Sequence, residues 1–257
     1  NRTDFSCPNR PEWRKFQMAL HADLFEQHPY LGGFLFMHER RGPMNFLYER
    51  QAWFDNTLPR CFCGHCAAKG QKLGIDAEKA KVGFQKLVKL FEGKRPELDR
   101  DGVMVGFWRI LTEYPEVLAW EKMQWDIIFD YREDVIKAMR KAKNDITIGY
   151  HYQHAGLLGD LFWRVGEKPE YAKGVADFVK PSLYPGVSGA RLKNVIGRAQ
   201  AVYLKDLDDE TAQLAISGWF QRSPENGREV FGENPAAQSG FTPEWVKTET
   251  ERFFKGA

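Results

Sequence analysis

Three cysteines and a histidine stand within six residues, CFCGHC from Cys61 to Cys66, and the 257-residue chain holds four cysteines in all, the remaining one being Cys7. A thiolate is a soft, charged ligand, and zinc takes four such donors in a tetrahedron. The spacing C-x-C-x-x-C supplies three from one tight loop, so the fourth must come from elsewhere in the fold, and Cys7 is the obvious source. A closed set of Cys7, Cys61, Cys63 and Cys66 would make a structural zinc site. Three other readings stay open on the residues alone: a disulfide with free thiols left over, a C-x-x-C redox pair at a helix start, or His65 in place of Cys7.

A second group of chemically capable residues follows three apolar runs. The run Gly33 to Met37 ends in His38, Glu39, Arg40 and Arg41, the run ITIGYHYQH carries His151 and His154, and ADFVKPSLYP carries Lys180 and Tyr184. If these runs are parallel strands, their C-terminal ends face one crevice, where α/β proteins place their ligands. A carboxyl leaving an apolar strand is desolvated, which raises its pKa and suits it to act as a general acid, while Arg or His beside it hold substrate oxygens. That combination fits glycosidic bond cleavage, with Glu39 as general acid/base and His38, Arg40, His151, His154, Lys180 and Tyr184 as substrate contacts. Each also has a plainer role. Glu39 can pair with Arg40, Arg41 or Arg50; the histidines can cap their strand; Lys180 can lie along apolar surface and Tyr184 can pack in the core.

The elements that must position these residues follow from hydrophobic period. Pro11 to Phe25 reads as a helix before the first strand. Asp76 is an N-cap for a helix carrying Ala80, Phe84, Leu87, Val88 and Phe91. A longer helix begins near Pro115, with Val117, Trp120, Ile127, Ile128, Tyr131, Val135, Ala138 and Met139 on one stripe. Arg222 to Trp245 is loop-like, and Thr242 to Phe254 is an amphipathic helix. Helices alternating with buried strands predict α/β units on a parallel sheet. Sheets of that kind have five or more strands or close into an eight-stranded TIM barrel, so the expectation is a single domain over residues 1–257, incomplete at both ends.

Lys plus Arg number 37 against 35 Asp plus Glu, interspersed, which argues against a dedicated nucleic-acid binder. No apolar run approaches the ~20 residues of a membrane helix, and the N-terminus has no signal-peptide core. The expectation is a soluble protein, either cytoplasmic or exported in a longer precursor; oligomeric state is not legible.

Glu39 at a strand end, with a cysteine before that strand and a C-x-C-x-x-C loop after it, resembles the β-galactosidases of glycoside hydrolase family 42, TIM-barrel enzymes of the large retaining clan. In that family four cysteines in this order hold a structural zinc beside the active site, and the general acid/base is a Glu at the end of the fourth strand. Over nearly the whole chain, HERRGPM, CFCGHCAAKGQKLGID, GYHYQHA, ADFVKPSLY and GFTPEWVKTET are similar to motifs of uncharacterised bacterial proteins of glycoside hydrolase type with a TIM-barrel domain. The resemblance implies a carbohydrate partner, zinc on Cys7, Cys61, Cys63 and Cys66, Glu39 as acid/base, and a chain that covers about strands four to six of a barrel. Two departures stand out. His38 occupies the place where the clan usually has Asn, and the clan's nucleophile belongs on a seventh strand, so hydrolysis by these residues alone is not expected. The rival from another class is a non-catalytic carbohydrate-binding or scaffold protein of the same fold; a third reading is a redox or metal-handling protein built on the cysteine loop.

Overall fold

In chain order the elements are α1 (Pro11–Gln27), β1 (Gly33–Met37), α2 (Pro43–Tyr48), α3 (Gly64–Lys72), α4 (Ala77–Phe91), α5 (Val103–Glu113), α6 (Glu116–Ala142), β2 (Thr147–Tyr152), α7 (Leu161–Gly166), β3 (Phe178–Pro181), α8 (Ser188–Gln200), α9 (Asp209–Trp219) and α10 (Pro243–Gly256), with a 3₁₀ turn over Pro169–Ala172. The computed structural model describes residues 7–37, 42–48, 61–93, 101–153, 159–184, 188–220 and 243–256.

Local chemistry explains where the main helices begin. The Asp76 carboxylate accepts the backbone N–H groups of Glu78 and Lys79 and so satisfies two of the donors that open α4. Asp160 and Asp208 do the same for α7 and α9 through the Trp163 and Thr211 N–H groups. The apolar stripe of α6 buries Val117, Trp120, Ile127, Ile128, Tyr131, Val135 and Met139, and Arg140 and Lys141 in its last turn oppose the negative end of the helix dipole.

All three strands pair in parallel, in the order β1-β2-β3. Met37 lies opposite His151, and His151 opposite Lys180. Alternation divides the sheet into two faces. Phe36 and Ile148 join Phe25, Tyr131, Val135 and Met139 in a core between the sheet and helices α1 and α6. The other face carries Leu35, Met37, Gly149 and Phe178, with Leu35, Met37 and Phe178 exposed. A Cβ on Gly149 would collide with the Phe178 ring and with Leu35 Cδ1, so these two side chains close over the glycine in the middle strand.

The partial TIM barrel expected from the sequence is not what forms. The described residues are about 66% helical, with one small three-stranded sheet. The physical reason lies in what the helices cover. The largest core is built from Phe84, Leu87, Ile110, Val117, Trp120, Leu192 and Tyr203, which belong to α4, α5, α6, α8 and the turn after it. Those apolar stripes pack against one another, whereas in a barrel each would lie on the strands.

Candidate metal centre and strand-tip site

The sulfurs of Cys7, Cys61, Cys63 and Cys66 all lie within 4.8 Å of one another, and the Cys7 and Cys66 sulfurs are 3.4 Å apart. A tetrahedral zinc with Zn–S near 2.3 Å has S···S edges of about 3.8 Å, so this donor set fits a metal ion held by four thiolates. Cys7 and Cys66 are buried, Cys61 and Cys63 half-buried, and all four are free of disulfides. His65 is exposed and outside the cluster, which answers one of the alternatives left open by the sequence.

The loop is held from several sides. Cys63 is the N-cap of α3 and Cys66 falls in its first turn, where the helix dipole favours negative sulfur. Between Cys61 and Cys63, Phe62 stacks on Trp120 at 4.5 Å and meets Phe84 edge-on, which anchors the loop in the main core. Gln124 of α6 donates to the Cys61 carbonyl at 3.2 Å. The segment before α1 is tied in by Asn9, whose N–H points to the Cys7 sulfur at 3.4 Å and whose side chain donates to the His65 carbonyl at 2.8 Å. Hydrogen bonds from Cys66 and Cys7 pull the Cys61 thiol far below its ordinary pKa, and the same bonds hold Cys7 and Cys66 above theirs. One thiolate therefore forms easily in the bare cluster, while further negative charge calls for a cation.

At the strand tips, the parallel register brings His151 and Lys180 side by side. His151 is buried and its Nε2 lies 2.8 Å from the Ser182 hydroxyl; Lys180 is exposed. Tyr184, beyond the end of β3, is half-exposed, adopts φ 43°, and has the Arg191 guanidinium 4.5 Å from its ring. His38, Glu39, Arg40 and His154 lie outside the described residues. Ser182 was not singled out in the sequence, although it continues the alternation of Phe178 and Lys180 and so falls on the same face as His151.

Buried carboxylates elsewhere are committed to structural contacts. Glu167, fully buried, pairs with Arg132 at 3.2 Å, accepts the Tyr150 hydroxyl at 2.7 Å and accepts the Trp163 indole N–H. Arg132 also donates to Tyr150, and the Tyr152 hydroxyl donates to the Glu167 carbonyl at 2.5 Å. Burial keeps both tyrosines neutral by pushing their pKa up. Asp160 caps α7 and accepts Asn45 Nδ2 at 3.3 Å. Asp177 precedes β3 at the opposite end of the sheet, accepting the Ile148 N–H at 2.7 Å and Arg140 at 3.0 Å.

Glu121 is a carboxylate the sequence reading passed over. It accepts the Met44 N–H at 2.8 Å and the Trp125 indole N–H at 2.9 Å, linking α2 to α6, and burial lifts its pKa to about 7. A carboxyl raised in the folded state contributes stability that is fully present below its unfolded pKa, near 4.5, and is lost as pH rises through about 7. In thermal melts between pH 5 and 8, Glu121→Gln should therefore gain on the wild type as pH rises, by on the order of 3 kcal/mol at full effect. A stability difference that stays flat across that range would mean Glu121 ionises normally.

Comparison with known proteins finds no matching family model, curated protein or solved structure.

Proposed function

We propose that this chain is a zinc-stapled, carbohydrate-active protein of glycoside hydrolase type, with Cys7, Cys61, Cys63 and Cys66 holding a structural zinc and Glu39 as general acid/base. The observation that carries the metal reading is the mutual approach of four sulfurs from two distant segments to within 4.8 Å. All four ligands are protein atoms, which leaves no open position for a substrate, so the zinc would act on the fold and not on a reacting bond. Its chemistry when bound is to neutralise the thiolates and lock the segment before α1 against α3 and α6. Metal analysis of the purified protein should return one zinc per chain; no metal, or one that leaves without disturbing the fold, refutes the assignment.

The carbohydrate reading is supported by the resemblance of the motifs and by the register that sets Met37, the residue before His38, opposite His151, which in turn lies opposite Lys180. In a hydrolase Glu39 protonates the leaving oxygen. Glu39→Gln should then cut turnover of unactivated glycosides by roughly 10²–10⁴-fold, with a smaller loss on aryl glycosides that need little proton assistance. An unchanged rate in an active protein would return Glu39 to anchoring its loop through a neighbouring arginine. A second reading, binding without hydrolysis, is favoured by one feature. Retention needs two carboxylates about 5–5.5 Å apart, and Asp160, Glu167 and Asp177 are each engaged in capping or ion pairing. Sugar binding without hydrolysis would decide for that reading.

A further inference from the structure

Half of the cysteine cluster is sheltered and half is not. Cys7 and Cys66 are buried, whereas Cys61 and Cys63 are half-buried. A zinc thiolate on a fully buried residue is shielded from oxidants in solution, but a small peroxide can reach one on a residue that stays partly exposed.

Cys63-Gly64-His65-Cys66 spans the start of α3, with Cys63 as N-cap and Cys66 in the first turn. C-x-x-C at a helix start is the spacing of dithiols that close reversibly into a disulfide. The sulfurs of the pair lie within 4.8 Å of each other, a short closure from the ~2.05 Å of an S–S bond. Cys7 and Cys66 approach to 3.4 Å, yet both are buried, and a bridge forms on whichever sulfur is oxidised first. The same turn also holds the segment before α1, because Asn9 Nδ2 donates to the His65 carbonyl at 2.8 Å.

We propose that the cysteine cluster is a peroxide-sensitive metal switch, in which oxidation closes Cys63 and Cys66 into a disulfide, expels the zinc and frees Cys7. This rests on the zinc reading above and adds its regulation. The Cys63 thiolate attacks a peroxide oxygen; the S–O bond forms, the O–O bond breaks and hydroxide leaves. The Cys66 thiolate then attacks the Cys63 sulfur, forming the S–S bond and expelling a second hydroxide. Two thiolates have then given two electrons to one peroxide. Cys7 and Cys61 remain as two ligands where the ion needs four, so zinc passes to solvent and both sulfurs take up protons. The staple between α3 and the segment before α1 is released with it.

Hydrogen peroxide titrated into the zinc-loaded full chain, with a chromogenic chelator reporting free zinc, tests the switch. Zinc should appear only after peroxide is added, in step with disulfide formation, and reach one ion per chain. Maleimide labelling followed by peptide mass spectrometry should find Cys63 linked to Cys66, with Cys7 and Cys61 labelled. Dithiothreitol with added zinc should restore the closed site. Zinc retained at peroxide concentrations that oxidise free glutathione overturns the switch. So does a first bridge that includes Cys7 or Cys61, or Cys63 driven to sulfinic acid with no bridge. In each of these cases the zinc reading stands, whereas a chain that carries no zinc before peroxide is added removes both.

Discussion

Chelation of the proposed zinc should lower the unfolding midpoint of the native protein by about 8–16 °C. A ligand that binds only the folded state stabilises it by about 4 kcal/mol when its free concentration stands a thousandfold above its dissociation constant, and 1 kcal/mol moves the midpoint of a chain this size by about 2–4 °C. Cys63→Ser should reproduce the loss. Cys63 is half-buried, so its replacement disturbs little packing, and the expected signature is specific: variant and wild type should differ strongly with zinc present and converge once both are stripped. A midpoint indifferent to the chelator, or a Cys63→Ser deficit that persists in metal-free protein, would show that the four thiols are merely packed together.

Breaking the ion pair beneath the sheet should cost about as much by a different route. Arg132 and Glu167 are 3% and 0% exposed, respectively, and removal of one member of such a pair typically costs about 3–5 kcal/mol because the other is left charged and unpaired out of water. Arg132→Met is therefore expected to be severely destabilising in urea denaturation. Arg132→Met combined with Glu167→Gln should recover a large part of the loss, since the amide still accepts from Tyr150 or Trp163 without carrying a stranded charge. If the double variant is as unstable as the sum of the single ones, the cost lies in packing around the guanidinium and not in the pairing.

What could be read from the sequence, and what could not, divides along physical lines. The strands were legible because a run such as Gly33 to Met37 has no polar residue to interrupt it, and the Asp76 cap because an acceptor side chain before a helical stripe has one obvious use. The barrel reading failed at α4, α5 and α6. An amphipathic stripe states that one face is buried and is silent on whether the burying surface is a strand or another helix, and here Phe84, Ile110 and Trp120 meet each other. The cysteine loop was legible as a chemical cluster because three thiols within six residues stay together in any fold, although only the fold brings Cys7 to Cys66. Arg132 left a trace that went unread: it interrupts the apolar stripe of α6 between Ile128 and Val135, and a charge on a buried stripe requires a buried counter-charge. Glu121 left none, because its significance comes from the Met44 N–H, which belongs to a different helix.

The arrangement of the four thiols also sets an order of assembly. Cys61, Cys63 and Cys66 sit close together on the chain whatever its conformation, so they can capture a metal ion while the polypeptide is still unfolded, using only a short loop and little closure entropy. Cys7 must travel across more than fifty intervening positions to reach Cys66, and it arrives just ahead of α1, the helix that packs against Phe34 and Phe36 of the sheet. In a metal-loaded chain the fourth metal–sulfur bond would therefore report a tertiary event. Its formation would coincide with docking of α1, and the passage from three-thiolate to four-thiolate coordination would give a kinetic clock for the step at which the helical core and the sheet are joined.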